Sequence, residues 1–139
     1  MKQFFLWFAG TVSAIISAAV GGWDHAIITL LTFMVIDYIT GWIVAVVFKK
    51  SHKTESGGYS STIGLKGLCK KCMVLLLVVV ANLLDTQLGA NYVRDGVCIA
   101  FMVNEVMSIL ENAALMGIPV PAAITKVLDV LTESGTKTE

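Results

Sequence analysis

The sequence predicts an all-α integral membrane protein with four transmembrane helices arranged as two hairpins. Hydrophobic residues make up 56% of the 139 residues and charged residues only 14%, whereas a soluble domain averages roughly 45–50% apolar and about 25% charged residues. The mean hydropathy is +0.80. The apolar residues form long runs on both sides of a single long polar interval, and the length allows one domain.

The polar interval covers residues 49–71 and is strongly basic. It contains one acid, Glu55, and six lysines: Lys49, Lys50, Lys53, Lys66, Lys70 and Lys71. Short basic loops stay on the cytoplasmic side of a membrane, so we predict a cytoplasmic loop that joins the two hairpins. Counting crossings from this loop places both termini in the cytoplasm. If the first apolar segment lay in the interface instead, three crossings would remain and the N-terminus would leave the cytoplasm.

Four apolar segments, at about residues 4–20, 26–48, 73–90 and 96–116, are the predicted spans. The first is near the lower length limit for a transmembrane helix. Pro119 and Pro121 end the fourth segment, because proline cannot continue a helix. Residues 120–131 then predict a short amphipathic helix, which could lie on the inner membrane surface or dock against protein. Residues 132–139 are expected to form a loose polar tail.

Polar side chains inside the predicted spans are the candidate functional residues. They are Asp37, Thr40 and Gly41 in the second span, Asn82 and Asp85 in the third, and a stripe of Asn104, Glu105, Ser108, Glu111 and Asn112 in the fourth. An ionised carboxylate at the bilayer centre costs roughly 2.5–3.5 kcal/mol. No Lys or Arg falls within a predicted span. We therefore expect the acids to be protonated and hydrogen-bonded to one another or to neighbouring Thr and Asn residues, or to line water. Self-association of the protein would remove them from contact with lipid.

Three interpretations of these acids follow from the residues alone. They could line an ion or proton path, drive lateral assembly that opens a lesion, or act only as hydrogen-bonding contacts between helices. The sequence does not predict an enzyme, since it has no nucleophile–base pair, and we predict no catalytic, cofactor or metal site. Cys69 and Cys72 have CxxC spacing but are interpreted as small residues at a membrane edge. A net charge of zero argues against nucleic-acid binding.

Four short motifs together resemble those of a known family. They are D-x-x-T-G at residues 37–41, S-x-x-G-x-x-G-x-x-K-K at 61–71, S-I-x-E-N at 108–112 and G-I-P-V-P at 117–121. Each motif is weak alone, but their combination is specific. Over residues 5–131 the chain resembles the toxin-secretion/phage-lysis holin family. The positions that recur in this family correspond to Asp37, Thr40, Gly41, Ser61, Gly64, Lys70, Lys71, Glu111 and Asn112.

The resemblance implies a small phage protein that accumulates in the host cytoplasmic membrane as a homo-oligomer. At a set time it would form holes through which a peptidoglycan-degrading endolysin escapes, without direct contact between the two proteins. Some relatives are linked to toxin release. The family has no catalytic residues, and an antiholin is a further expected partner. The alternatives are a small oligomeric ion channel or transporter subunit, or an antiholin-type regulator.

Overall fold

The computed structural model describes residues 1–136, without the side chains of residues 131, 132 and 134–136, and its regular structure is entirely helical. The helices are α1 (Lys2–Val20), α2 (His25–Ile43), α3 (Ser61–Leu88), α4 (Val93–Leu115) and α5 (Ala122–Thr136). A π-helical segment, Val44–Phe48, continues α2. Helices α1 to α4 are each long and apolar enough to cross a membrane. The prediction of an all-α protein with four such helices is confirmed.

Helices α2, α3 and α4 form a three-helix bundle around an apolar core. The core includes Ile27 and Leu30 from α2, Val78 from α3 and Cys98 from α4, all fully buried. Helix α1 contributes only Val20 to this core, and every side chain before residue 17 is exposed. The first helix therefore touches the bundle only through its last turn.

The turn between α1 and α2 begins at a pair of glycines, Gly21 and Gly22. Gly21 adopts a left-handed conformation with φ of 83°, and its N–H bonds to the Ser17 carbonyl. Asp24 caps α2 by accepting a hydrogen bond of 3.1 Å from the Ile27 N–H. An Asp at this position satisfies one of the free amides at a helix start. These two residues fix where α1 ends and α2 begins.

Helix α3 begins at Ser61, twelve residues earlier than the span predicted from residue 73. Hydropathy detects the apolar segment of this helix but not its polar first part. Lys66, Lys70 and Lys71 therefore lie on α3 and not in a loop, and the loop covers only residues 49–60. Gly64 and Gly67, which fall within the predicted polar loop of residues 49–71, also lie in α3.

The C-terminal helix also differs from the prediction. The predicted helix at 120–131 begins later, at Ala122, and continues to Thr136, so most of the predicted polar tail is helical. Residues 137–139 of that tail lie outside the described part of the chain. Among the described side chains of α5, Leu128 is buried, whereas Ile124 and Val127 are exposed. The helix thus presents an apolar surface that the bundle does not cover.

The loop of residues 49–60 folds back on itself at one end of the bundle. The Ser51 N–H bonds to the Gly57 carbonyl at 2.9 Å, and the Thr54 hydroxyl donates to the Gly58 carbonyl at 2.8 Å. These bonds make the loop a compact cover. We call this end of the bundle the loop end, and the end with the α1–α2 and α3–α4 turns the turn end.

Replacing Gly21 by alanine is expected to destabilise the protein by about 1–3 kcal/mol, the usual cost of a strained backbone conformation. The new Cβ would overlap the amide oxygen of Asn82 and lie 3.1 Å from Cδ of Arg94. Thermal unfolding of the purified protein in detergent measures the effect. Gly10→Ala is the matched control, because a Cβ added at Gly10 would meet nothing within 4 Å. Equal stability of the two variants would contradict the proposed strain at Gly21.

Candidate functional site

A lysine and two carboxylates from three different helices meet inside the bundle. The Lys71 Nζ on α3 lies 2.7 Å from Oδ2 of Asp37 on α2 and 2.5 Å from Oε2 of Glu105 on α4. The side chains of Lys71, Asp37 and Glu105 are only 14%, 11% and 7% exposed. One ammonium group thus joins α2, α3 and α4 at a single level.

An amide on α4 completes this arrangement. The Asn112 Nδ2 donates to Oδ1 of Asp37 at 3.3 Å and to the Thr40 hydroxyl at 2.9 Å. The Thr40 hydroxyl in turn donates to the Asp37 backbone carbonyl at 3.1 Å. Both carboxylate oxygens of Asp37 therefore have a hydrogen-bond donor. We call Asp37, Thr40, Lys71, Glu105 and Asn112 the charged cluster.

The charged cluster corrects the expectation that no cation lies near the intramembrane acids. The sequence predicts Lys71 in the loop, but the longer α3 carries it between Asp37 and Glu105. A buried ion is tolerated when it is paired and its remaining hydrogen bonds are made. The acids are thus partnered within one chain, and self-association is not needed to satisfy these two.

The remaining residues of the predicted stripe line a cavity of about 290 Å³ at the loop end. We call it the loop-end cleft. Its walls come from α2, α3, α4 and the loop of residues 49–60, and they include Gly41, Gly67, Lys70, Asn104, Ser108 and Glu111. Asn104 and Glu111 are exposed and Ser108 is partly buried, whereas Glu105 and Asn112 are buried. Glu105 thus belongs to the cluster, Asn104, Ser108 and Glu111 line the cleft, and Asn112 does both.

Asp85 and Asn82 lie at the turn end, away from the charged cluster. Asp85 accepts hydrogen bonds from the backbone N–H groups of Val93 at 3.0 Å and Arg94 at 2.9 Å. It thereby caps α4 from the end of α3. Asn82 donates to the Ala19 carbonyl at 3.1 Å and so holds the end of α1. Both residues therefore hold turns of the chain, and their role in assembly or in a pore stays a prediction.

Arg94, which lies between the predicted spans 73–90 and 96–116, is buried at the start of α4. Its guanidinium binds Asp24 through two hydrogen bonds of 2.7 and 2.8 Å. This bidentate pair ties the α1–α2 turn to the α3–α4 turn. The Arg94 guanidinium and the Ile27 N–H hold the pKa of the Asp24 carboxyl at about 2, below its ordinary 3.8. The sequence contains one signal for this pair, because an acid and an arginine occur near two turns that the predicted topology places on the same side of the membrane.

The fold and the charged cluster define a small multi-span membrane protein whose helices are joined by buried ions. Over residues 14–133 the chain matches the family model described as the bacteriophage holin family. Because this match covers most of the chain, the protein belongs to the bacteriophage holin family, and the resemblance inferred from the four motifs is confirmed.

Similar proteins occur in bacteria and in a phage. A "Probable holin" of Bacillus phage phi105 is 36% identical over 112 residues, which cover 79% of this chain and 77% of the relative. An uncharacterised protein of Clostridium perfringens is 39% identical over 113 residues, covering 80% and 78%. One of Halalkalibacterium halodurans is 31% identical over 137 residues, covering 94% and 96%. No solved structure matches the chain.

Replacing Lys71 by methionine is expected to destabilise the protein by about 3–5 kcal/mol, because two buried carboxylates lose their partner. Unfolding in detergent measures the loss. Lys66→Met is the matched control, since Lys66 lies exposed on the same helix. Adding Asp37→Asn and Glu105→Gln to Lys71→Met should recover part of the stability. A Lys71→Met protein as stable as the control would contradict the structural role of the cluster.

The Asp24–Arg94 pair predicts a pH-dependent difference between the natural protein and an Asp24→Asn variant. A carboxyl with a lowered pKa in the folded state stabilises that state fully above its unfolded pKa, and the contribution is lost as the pH falls through the folded pKa. The natural protein should be the more stable of the two at neutral pH. Their difference in unfolding temperature should shrink between about pH 4 and about pH 2, following the two pKa values. A difference independent of pH would rule out the ion pair as its cause.

Proposed function

We propose that this protein is a holin that assembles in the host cytoplasmic membrane and opens holes at a timed moment. The holes would release an endolysin from the cytoplasm and so lead to cell lysis. As in some relatives in the toxin-secretion/phage-lysis holin family, the released protein would alternatively be a toxin. The observation that carries the proposal is membership of the bacteriophage holin family. The phage relative named as a probable holin supports it.

The membrane orientation is part of this proposal. Lys49, Lys50 and Lys53 lie in the loop of residues 49–60, and Lys66 and Lys70 lie on the first turns of α3. Basic residues at this end favour the cytoplasmic side. With α1 crossing the membrane, both termini then lie in the cytoplasm. The tilt and depth of α1 would be set by lipid, because only its last turn packs on the bundle.

Assembly is the step that the polar residues of the cleft support. Asn104 is the central residue of α4 and is exposed, although the helix around it is apolar enough to span a membrane. Polar groups in hydrocarbon need partners from protein or water. A homo-oligomer would supply those partners. As more copies join the oligomer, their polar clefts would surround a water-filled hole. The endolysin needs no contact with the oligomer, since it only passes through the hole. An antiholin would act by joining the oligomer. Family membership supports a role that is not enzymatic.

Co-expression with a cytoplasmic muralytic enzyme that lacks a signal sequence tests the function. We expect an abrupt fall in turbidity after a delay, and only when both proteins are present. Lys71→Met, which removes the cluster's cation, should abolish or greatly shift this lysis time, whereas Lys66→Met should not.

The alternatives give different outcomes in the same cells, if membrane potential is followed with turbidity. Depolarisation without escape of the enzyme would favour a small ion channel and exclude enzyme-sized holes. No change in permeability, despite insertion into the membrane, would favour an antiholin-type regulator.

A further inference from the structure

Two opposite charges stand on facing walls of the loop-end cleft. Lys70 is on α3 and Glu111 is on α4, both line the cleft, and both are exposed. Neither takes part in an ion pair among the residues that the structure describes, unlike Lys71 and Arg94. Lys53 of the loop also lines the cleft, is exposed and has no ion pair among the described residues. The cleft thus carries two lysines, Lys53 and Lys70, and one glutamate, Glu111, without an ion-pair partner in the chain.

A third polar group extends the cleft toward the middle of the membrane. Asn104 lies in the cleft seven residues before Glu111, which is about 10 Å along a helix axis at 1.5 Å per residue. Its carboxamide makes no hydrogen bond among the described residues. Hydrocarbon cannot satisfy a carboxamide or a carboxylate. Asn104 and Glu111 therefore each require a polar partner in the cleft.

The wall of the cleft on α3 allows another helix to approach closely. Gly67 lines the cleft, and a Cβ added there would meet nothing within 4 Å. Small residues at such positions let helix backbones come near each other in lipid. The space in front of Gly67 is therefore open to a partner helix.

We propose that the loop-end cleft is the surface through which one copy of this chain binds a second copy. Lys70 of one copy pairs with Glu111 of the next, and Asn104 hydrogen-bonds across the same contact. This inference rests on the proposed function, because it names the surface that the oligomer uses. The occupant follows from complementarity: each copy offers unpaired lysines and an unpaired glutamate, so two copies can pair Lys70 with Glu111 in both directions, and a carboxamide is both donor and acceptor.

Other occupants fit the charges less well. An anionic lipid headgroup would gain Lys53 and Lys70 but would also meet the Glu111 carboxylate in the same cleft. Water alone would solvate these groups but would leave the open wall at Gly67 without a packing partner. Lys71 also lines the cleft, but its charge is already balanced within the chain, since its ammonium group donates to both Asp37 and Glu105. A second copy satisfies Lys70, Glu111 and Asn104 together.

Charge reversal in separate copies tests the contact. Lys70→Glu and Glu111→Lys are each labelled with a donor or an acceptor dye and reconstituted in vesicles. Each variant alone should associate more weakly than the natural protein, by about tenfold or more as for close interfacial charge pairs. A mixture of the two should recover association, because every contact between unlike copies then joins an acid to a lysine. Pairing of residues 70 and 111 within one chain cannot produce this recovery, because each variant carries the same charge at both positions.

Lys66→Glu is the matched control, because Lys66 is exposed on α3 but does not line the cleft. It should associate like the natural protein. Failure of the mixture to recover, with both variants helical and inserted, would overturn the proposal and leave the cleft to water or lipid. If a reversal does not insert, Lys70→Gln and Glu111→Gln replace it. Each of these single variants should associate more weakly than the natural protein. The double variant should associate no more weakly than the single variant with the larger loss, and additive losses of association would overturn the contact.

Energy transfer between dyes measures association without lysis, so this test separates the two proposals. If the natural protein associates and the mixture of variants recovers association, but the natural protein causes no lysis, the holin function is refuted and the contact is kept. Lysis by the natural protein without recovery in the mixture would refute the contact and keep the function.

Discussion

A buried ammonium group between two carboxylates constrains the arrangement of the three bundled helices. An unpaired ion in a non-polar interior is far costlier than a paired one, so Lys71 must keep both Asp37 and Glu105 within hydrogen-bonding distance. A shift of α3 by one turn, about 5.4 Å, would break both pairs. Apolar packing alone tolerates many registers in lipid, because lipid and Leu side chains are similarly apolar. The charged cluster therefore sets the register that the apolar core then fills.

The two ends of the bundle are held in different ways. At the turn end, Asp85 caps α4 and Arg94 binds Asp24, so backbone and side-chain groups close both turns. At the loop end, the loop covers a cleft in which Lys70 and Glu111 have no ion pair among the described residues. The middle level is fixed by the charged cluster. The molecule is thus closed at one end and open to polar partners at the other.

The helices could be predicted from hydropathy, whereas the pairing of their polar residues could not. Apolar runs locate four spanning helices, but the start of α3 at Ser61 depends on residues too polar to be counted in a span. The partners Lys71 and Asp37 are thirty-four positions apart, as are Lys71 and Glu105, and no local periodicity connects them. Asp85 lies inside an apolar run, yet it caps a helix that begins eight residues later. The motifs identified the positions, and only packing assigned their partners.

The adjacent residues Lys70 and Lys71 separate folding from assembly. Both lysines line the cleft, but successive residues on a helix point about 100° apart, and Lys71 alone reaches Asp37 and Glu105. On α4, Glu105 is buried in the charged cluster whereas Glu111 is exposed in the cleft, since six residues rotate a side chain by about 240°. The ion pairs of Lys71 are complete within one chain, whereas the proposed pair of Lys70 and Glu111 would form only between copies. Under the proposed function, single copies can therefore fold and accumulate before association begins, which a delayed and concentration-dependent lysis requires.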